Sequence, residues 1–83
     1  MKIFYTREFK NDIKKLKDEK IKSNLKKIIE KIKQNPEIGK PLRYELSGLR
    51  SIRFSSFRII YKIEGEIIIL LKFGHRKRIY ETK

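Results

Sequence analysis

Apolar positions change period once along this chain. Phe9, Ile13 and Leu16 recur at helical spacing, and so do Ile21, Leu25, Ile28, Ile29 and Ile32. On one continuous wheel the two stripes would centre roughly 130° apart, which sends them to different sides of a rod. A break across residues 17–20 returns both to one core, so the pattern predicts a helical hairpin rather than one long helix. Thr6 stands where an N-cap is needed, with Glu8 in the first turn, where the helix dipole favours an anion. Asn35-Pro36 ends the second helix, because proline disfavours helix in the residue before it. Ahead of Thr6, residues 2–5 read as a short strand.

Residues 37–48 form a connector punctuated by Gly39, Pro41 and Gly48. Beyond it the period is that of strands. Residues 50–54, 57–63 and 66–73 read as three strands, with two-residue turns at Ser55-Ser56 and Glu64-Gly65. These turns set Arg53 opposite Arg58 and Ile52 opposite Ile59, then Tyr61 opposite Ile68, Ile59 opposite Leu70 and Arg58 opposite Leu71. Alternation gives one apolar face: Ile52, Phe54, Phe57, Ile59, Tyr61, Ile63, Ile68 and Leu70. The helical hairpin can cover it. The opposite face carries Arg53, Arg58, Ile60, Lys62, Ile67, Ile69, Leu71 and Phe73, and His75 follows if the strand runs that far. The fold class is α+β: an N-terminal strand and a helical hairpin packed on one face of a mainly antiparallel four-stranded sheet. At 83 residues this is one domain, residues 1–83.

Charge narrows the class of partner. Lys and Arg number 23 against 10 Asp and Glu, a formal net charge of +13. Such a chain is drawn to polyanions. Most of the helical lysines read as a solvated surface. The arginines differ, for all except Arg7 lie between Arg43 and Arg78, in the sheet and tail. Arginine is the better fork-shaped donor for phosphate, so their segregation points to a phosphate site there. Arg53 and Arg58, directly opposite one another, repel unless an anion lies between them or both splay into water. On the same face Ile60, Ile67, Ile69 and Leu71 would form an exposed apolar strip, which marks a binding surface for a partner chain.

The chain has no cysteine, so no disulfide or thiolate metal site is available, and a single histidine excludes a multi-histidine metal site. No stretch approaches the roughly 20 apolar residues of a membrane span. The opening residues lack the long apolar run of a signal peptide. A cytoplasmic protein with no membrane association is expected.

Two motifs carry a family resemblance. Phe57-Arg58-Ile59-Ile60-Tyr61 is followed by a short acidic-glycine hairpin, an aliphatic run and then Gly74-His75-Arg76-Lys77-Arg78-Ile79-Tyr80. Together, at this separation, they resemble the RelE/ParE toxin superfamily, and its RelE-like mRNA interferase branch in particular. The order of elements is similar too, so the resemblance covers nearly the whole chain. It implies the toxin of a type II toxin-antitoxin system that inhibits translation, a metal-independent endoribonuclease that cuts mRNA in the ribosomal A site, uses no cofactor and is held silent by a cognate acidic antitoxin. The basic residues and tail tyrosine of RelE-like toxins map onto Arg53, Arg58, Arg76 and Tyr80. One position departs: some relatives carry a second basic residue where this chain has Ser51. The span from Gly74 to Tyr80 is also shorter than in some members, and His75 fills part of the gap.

Metal-free RNA cleavage needs the 2′-hydroxyl deprotonated, the pentavalent phosphate stabilised and the leaving 5′-oxygen protonated. Arg58 and Arg76 suit the phosphate, and Arg53 an adjacent phosphate. His75 is the chain's one imidazole, the group that exchanges protons near neutral pH, and either it or Tyr80 can serve as acid or base. Each also has a plainer reading, His75 as a capping or stacking ring and Tyr80 as a core tyrosine or a base-stacking one. The functional alternatives are non-enzymatic: a ParE-like DNA gyrase inhibitor, or a small basic RNA-binding protein.

Overall fold

The computed structural model describes residues 1–77 and 79. Strand β1 (Lys2–Tyr5) leads into helix α1 (Arg7–Lys14) and helix α2 (Glu19–Gln34). A two-residue strand β2 (Lys40–Pro41) follows, then β3 (Arg50–Phe54), β4 (Phe57–Glu64) and β5 (Ile67–His75). The sheet order is β1-β5-β4-β3-β2. β1 runs parallel to β5, and the other pairs are antiparallel. The sheet thus has five strands rather than four, the extra one coming from the connector.

Local chemistry sets the helix ends. The Thr6 hydroxyl accepts the Phe9 N–H at 3.2 Å and caps α1. Asp18 caps α2, accepting N–H bonds from Lys20 at 2.9 Å and Ile21 at 3.3 Å. The hairpin break falls where the two apolar stripes change phase. Both helices cover one sheet face, and Phe9, Leu25, Ile29 and Ile32 meet Ile59, Tyr61, Ile68, Leu70 and Phe73 in the core.

The connector is tied to this core through Tyr61. Its buried hydroxyl donates to the Pro36 carbonyl at 2.7 Å and accepts the Gly39 N–H at 2.8 Å. A Cβ on Gly39 would lie 2.5 Å from that oxygen, so only glycine allows the approach. The Arg50 guanidinium donates to the Gly39 carbonyl at 2.7 Å from the neighbouring strand.

Phe54 pairs with Phe57, Arg53 with Arg58 and Ile52 with Ile59, as the Ser55-Ser56 turn requires. The second hairpin differs from expectation in two ways. Its turn is Gly65-Glu66, with Glu64 opposite Ile67, which sets the glycine at the first central position, where φ is +59°. Further along, Tyr61 pairs with Leu70 but Ile60 pairs with Lys72, so Leu71 is an extra residue in β5. The expected pairs Tyr61–Ile68, Ile59–Leu70 and Arg58–Leu71 are therefore replaced. Tyr61 meets Leu70, Ile59 meets Phe73, Arg58 meets Gly74 and Phe57 meets His75.

This bulge reverses the faces of the strand beyond it. Phe73 turns into the core, 5% exposed, instead of onto the arginine face. Groups from the start of the chain hold it there. The Thr6 hydroxyl lies 2.9 and 3.2 Å from the Leu70 and Leu71 carbonyls, and Asp12 accepts the Phe73 N–H at 3.0 Å. They satisfy the edge of β5 where β1 no longer pairs with it.

Candidate active site

The outer sheet face divides into three zones. At its centre Ile60 is 3% exposed, covered together with Leu71 by Leu42 and Leu46 of the connector, by Leu49 just beyond it and by Ile79. Ile60 and Leu71 therefore do not belong to an exposed strip, because a second small apolar cluster forms over them. Ile79 reaches this cluster through a turn in which its N–H donates to the His75 carbonyl at 3.0 Å. Gly74 leaves room for it, since a Cβ there would lie 3.3 Å from the Ile79 side chain. Towards the β1 edge, Ile67 is 42% exposed, Ile69 half-buried and its neighbour Phe4 58% exposed. This corner is what survives of the apolar strip.

The third zone is the cationic end, where β3, β4 and β5 bring Arg53, Arg58 and Gly74 into one row. Arg53 is exposed and Arg58 half-buried. The Arg76 N–H donates to the Ser56 carbonyl at 2.9 Å, carrying the ladder one step past β5. Arg76 sits in the turn just past the strand, and this backbone bond holds it at the sheet end where Arg53 and Arg58 pair. Arg53 and Arg58 thus share one face, and Arg76 follows at the same end of the sheet.

Ser51 is the residue that sequence reasoning undervalued. It stands where some RelE-like toxins have a basic side chain, and it is 2% exposed. Arg58 donates from Nη1 to the Ser51 hydroxyl at 2.6 Å. A small acceptor on the Arg53 side of the strand thus directs the Arg58 guanidinium. Ser51 and Arg53 share parity, so the sequence sets both on one face, but a serine where relatives have a basic residue reads only as a departure from the family pattern.

His75 does not join the row. Paired with Phe57, it follows Phe73 onto the helix side of the sheet. Its ring stacks on Phe57 at a centroid distance of 4.6 Å. It remains exposed at the sheet end and shares a cleft with Ser56, Arg76 and Lys77. Tyr80, the other acid-base candidate, lies outside the described residues.

A short N-terminal strand, a helical hairpin and a mostly antiparallel five-stranded sheet make up the RelE-like toxin fold. Comparison with known proteins agrees. The family described as "ParE toxin of type II toxin-antitoxin system, parDE" matches residues 3–80. Toxin RelG of Mycobacterium tuberculosis is 42% identical over 45 residues, 52% of each chain, so the match spans about half the length of that curated relative. A chain of the RelBE2 toxin-antitoxin complex of the same organism superposes with a TM-score of 0.78 at 28% identity, covering 90% of this chain and 96% of that one. A chain of the RelB-RelE antitoxin-toxin complex of Methanococcus jannaschii gives 0.69 at 25% identity, covering 94% and 95%. The chain belongs to the RelE/ParE family of type II toxin-antitoxin toxins.

Among the described residues, no helix is long and apolar enough to cross a membrane.

Proposed function

We propose that this toxin is a ribosome-dependent endoribonuclease that cuts mRNA in the A site and acts in the cytoplasm. The observation that supports the reading most is the pair of Arg53 and Arg58, with Arg58 aimed by Ser51 and Arg76 held at the same sheet end. Cleavage builds negative charge on a pentavalent phosphate, and preorganised guanidiniums oppose that charge without reorganising. Arg58 and Arg76 take the scissile phosphate in this reading, and Arg53 its neighbour. Proton transfer falls to Tyr80, to His75 reaching round the sheet end, or to groups of the ribosome, which also holds the RNA in a reactive geometry. The cognate antitoxin would be acidic, matching the net charge of +13, and would cover the apolar corner of Phe4, Ile67 and Ile69.

Primer extension on a translated message after a brief pulse of expression tests the nuclease reading. New 5′ ends at codon-spaced positions are expected, and intact message in arrested cells would refute it.

A second reading has its own support. The matching family carries the ParE description, and His75 faces away from the arginine row. Both favour a gyrase inhibitor in which the arginines only bind. Loss of supercoiling by purified gyrase on adding this protein would establish that reading instead.

A further inference from the structure

His75 stands at the outer end of a continuous stack of rings. Phe54 lies against Phe73 at 5.8 Å and 22°, Phe73 against Phe57 at 5.0 Å and 14°, and Phe57 against His75 at 4.6 Å and 28°. The stack runs through Phe73, which is buried, and ends at His75, which is exposed. The half-buried Phe57 ring, itself packed on Phe73, orients the last one, so His75 is a platform that costs less to order on binding than a free side chain.

Two clefts border the platform. On the helix side, a cleft of about 350 Å³ lies between the turn of the helical hairpin and the sheet end. Its walls are Phe57, Phe73 and His75 on one side and Lys15, Leu16 and Lys17 on the other. On the far side His75 borders the cleft of about 570 Å³ that contains Ser56, Arg76 and Lys77. The first cleft also has two carboxylates. Asp12 is bonded to the Phe73 N–H and Asp18 to the Lys20 and Ile21 N–H groups, so backbone donors engage both. No ion pair among the described residues includes Lys15, Lys17, Arg76 or Lys77. An aromatic surface flanked by cations, continuous with a row of arginines, matches the alternation of bases and phosphates along a single strand of RNA.

We infer that His75 is a nucleobase-stacking residue, and that a base next to the phosphate held by the arginines swings over the sheet end into the cleft between His75 and the helical hairpin. This rests on the RNA-directed reading above and adds a subsite to it. The bulge at Leu71 is what makes the subsite, because it turns His75 off the arginine face and onto Phe57. This subsite uses the flat face of the imidazole and needs no proton from it.

The test measures binding of the purified toxin to a short single-stranded RNA carrying one fluorescent adenine analogue whose emission is quenched by stacking, scanned along the strand. At one position the wild type should quench it. His75→Ala should lose that quenching and about 5- to 150-fold in affinity, the range for one base on one aromatic ring. His75→Phe, which keeps a flat ring and cannot transfer a proton, should retain both. Equal binding and quenching by wild type and His75→Ala would overturn the inference, as would His75→Phe behaving like alanine. So would His75→Ala weakening capture of an acidic partner peptide with no quenching anywhere on the RNA. A wild type that binds no RNA sinks the subsite and the RNA-directed reading together. Quenching that depends on the ring, in a protein that leaves ribosome-bound message intact, sinks the nuclease reading alone.

Discussion

Replacing Tyr61 by phenylalanine removes one oxygen and two hydrogen bonds while leaving the ring in the core. The hydroxyl joins Pro36 to Gly39 at 2.7 and 2.8 Å and belongs to a fully buried side chain. In the variant the Gly39 N–H is left buried without a partner, which costs about 1–3 kcal/mol, and the Pro36 carbonyl loses a bond worth about 1 kcal/mol. A loss of roughly 2–4 kcal/mol is expected, against a total stability of roughly 4–12 kcal/mol for a domain of this length. Near the lower figure Tm falls by about 8–16 °C. Urea denaturation at neutral pH measures it. The same hydroxyl predicts a pH dependence. Burial raises the Tyr61 pKa above 10.0, outweighing the opposing pull of the Gly39 N–H bond and the Arg50 charge. Below pH 10 the hydroxyl is protonated in both folded and unfolded chains, and its contribution is whole. As pH rises past that value the unfolded chain ionises first, so wild type loses stability through Tyr61 and the phenylalanine variant does not. The gap between the two should narrow in alkali. A variant within about 0.5 kcal/mol of wild type at neutral pH, less than the smallest loss ordinarily expected of a buried bond, would refute the reasoning. So would a gap that widens as pH rises.

Gly39→Ala presses a methyl group against Tyr61 and should destabilise by about 1–3 kcal/mol, read in the same urea titration. Ser51→Ala keeps the fold but frees the Arg58 guanidinium. Arg58 is half-buried, so solvent discounts the bond, and message cleavage by ribosome-bound toxin should slow by about 5- to 10-fold. Ile67→Asp at the exposed corner should weaken capture by the co-expressed antitoxin at least ~10-fold without changing Tm, as a pull-down and a thermal melt will report.

Local physics made much of this fold readable. A phase jump between two apolar stripes, with Asp18 at the break, defines the helical hairpin. A two-residue turn between Phe54 and Phe57 fixes the pairing of Arg53 with Arg58. What stayed hidden depends on contacts distant in sequence. The run from Ile67 to Leu71 is apolar throughout, so alternation cannot say which residue faces which side. The face is chosen at the bulge by the Thr6 hydroxyl and the Asp12 carboxylate, some sixty residues upstream. With it went the expected side of Phe73 and His75. The cover over Ile60 was hidden for a related reason. Leu42, Leu46 and Leu49 sit in a stretch that reads as punctuation, and nothing local says that it folds back over the sheet. Arg53 and Arg58 were legible because they lie before the bulge, and Ser51 became meaningful only once its hydroxyl was seen against Arg58.

As part of a built phosphate site, Arg58 should do more than add positive charge. Single-turnover cleavage of message on purified, programmed ribosomes tests it by comparing Arg58→Ala with Arg7→Ala, which removes the same charge from the exposed start of α1. Cleavage should fall by about 10²- to 10³-fold in Arg58→Ala and stay within about 2-fold of wild type in Arg7→Ala. Equal losses in the two variants, or no cleavage by wild type, would contradict it.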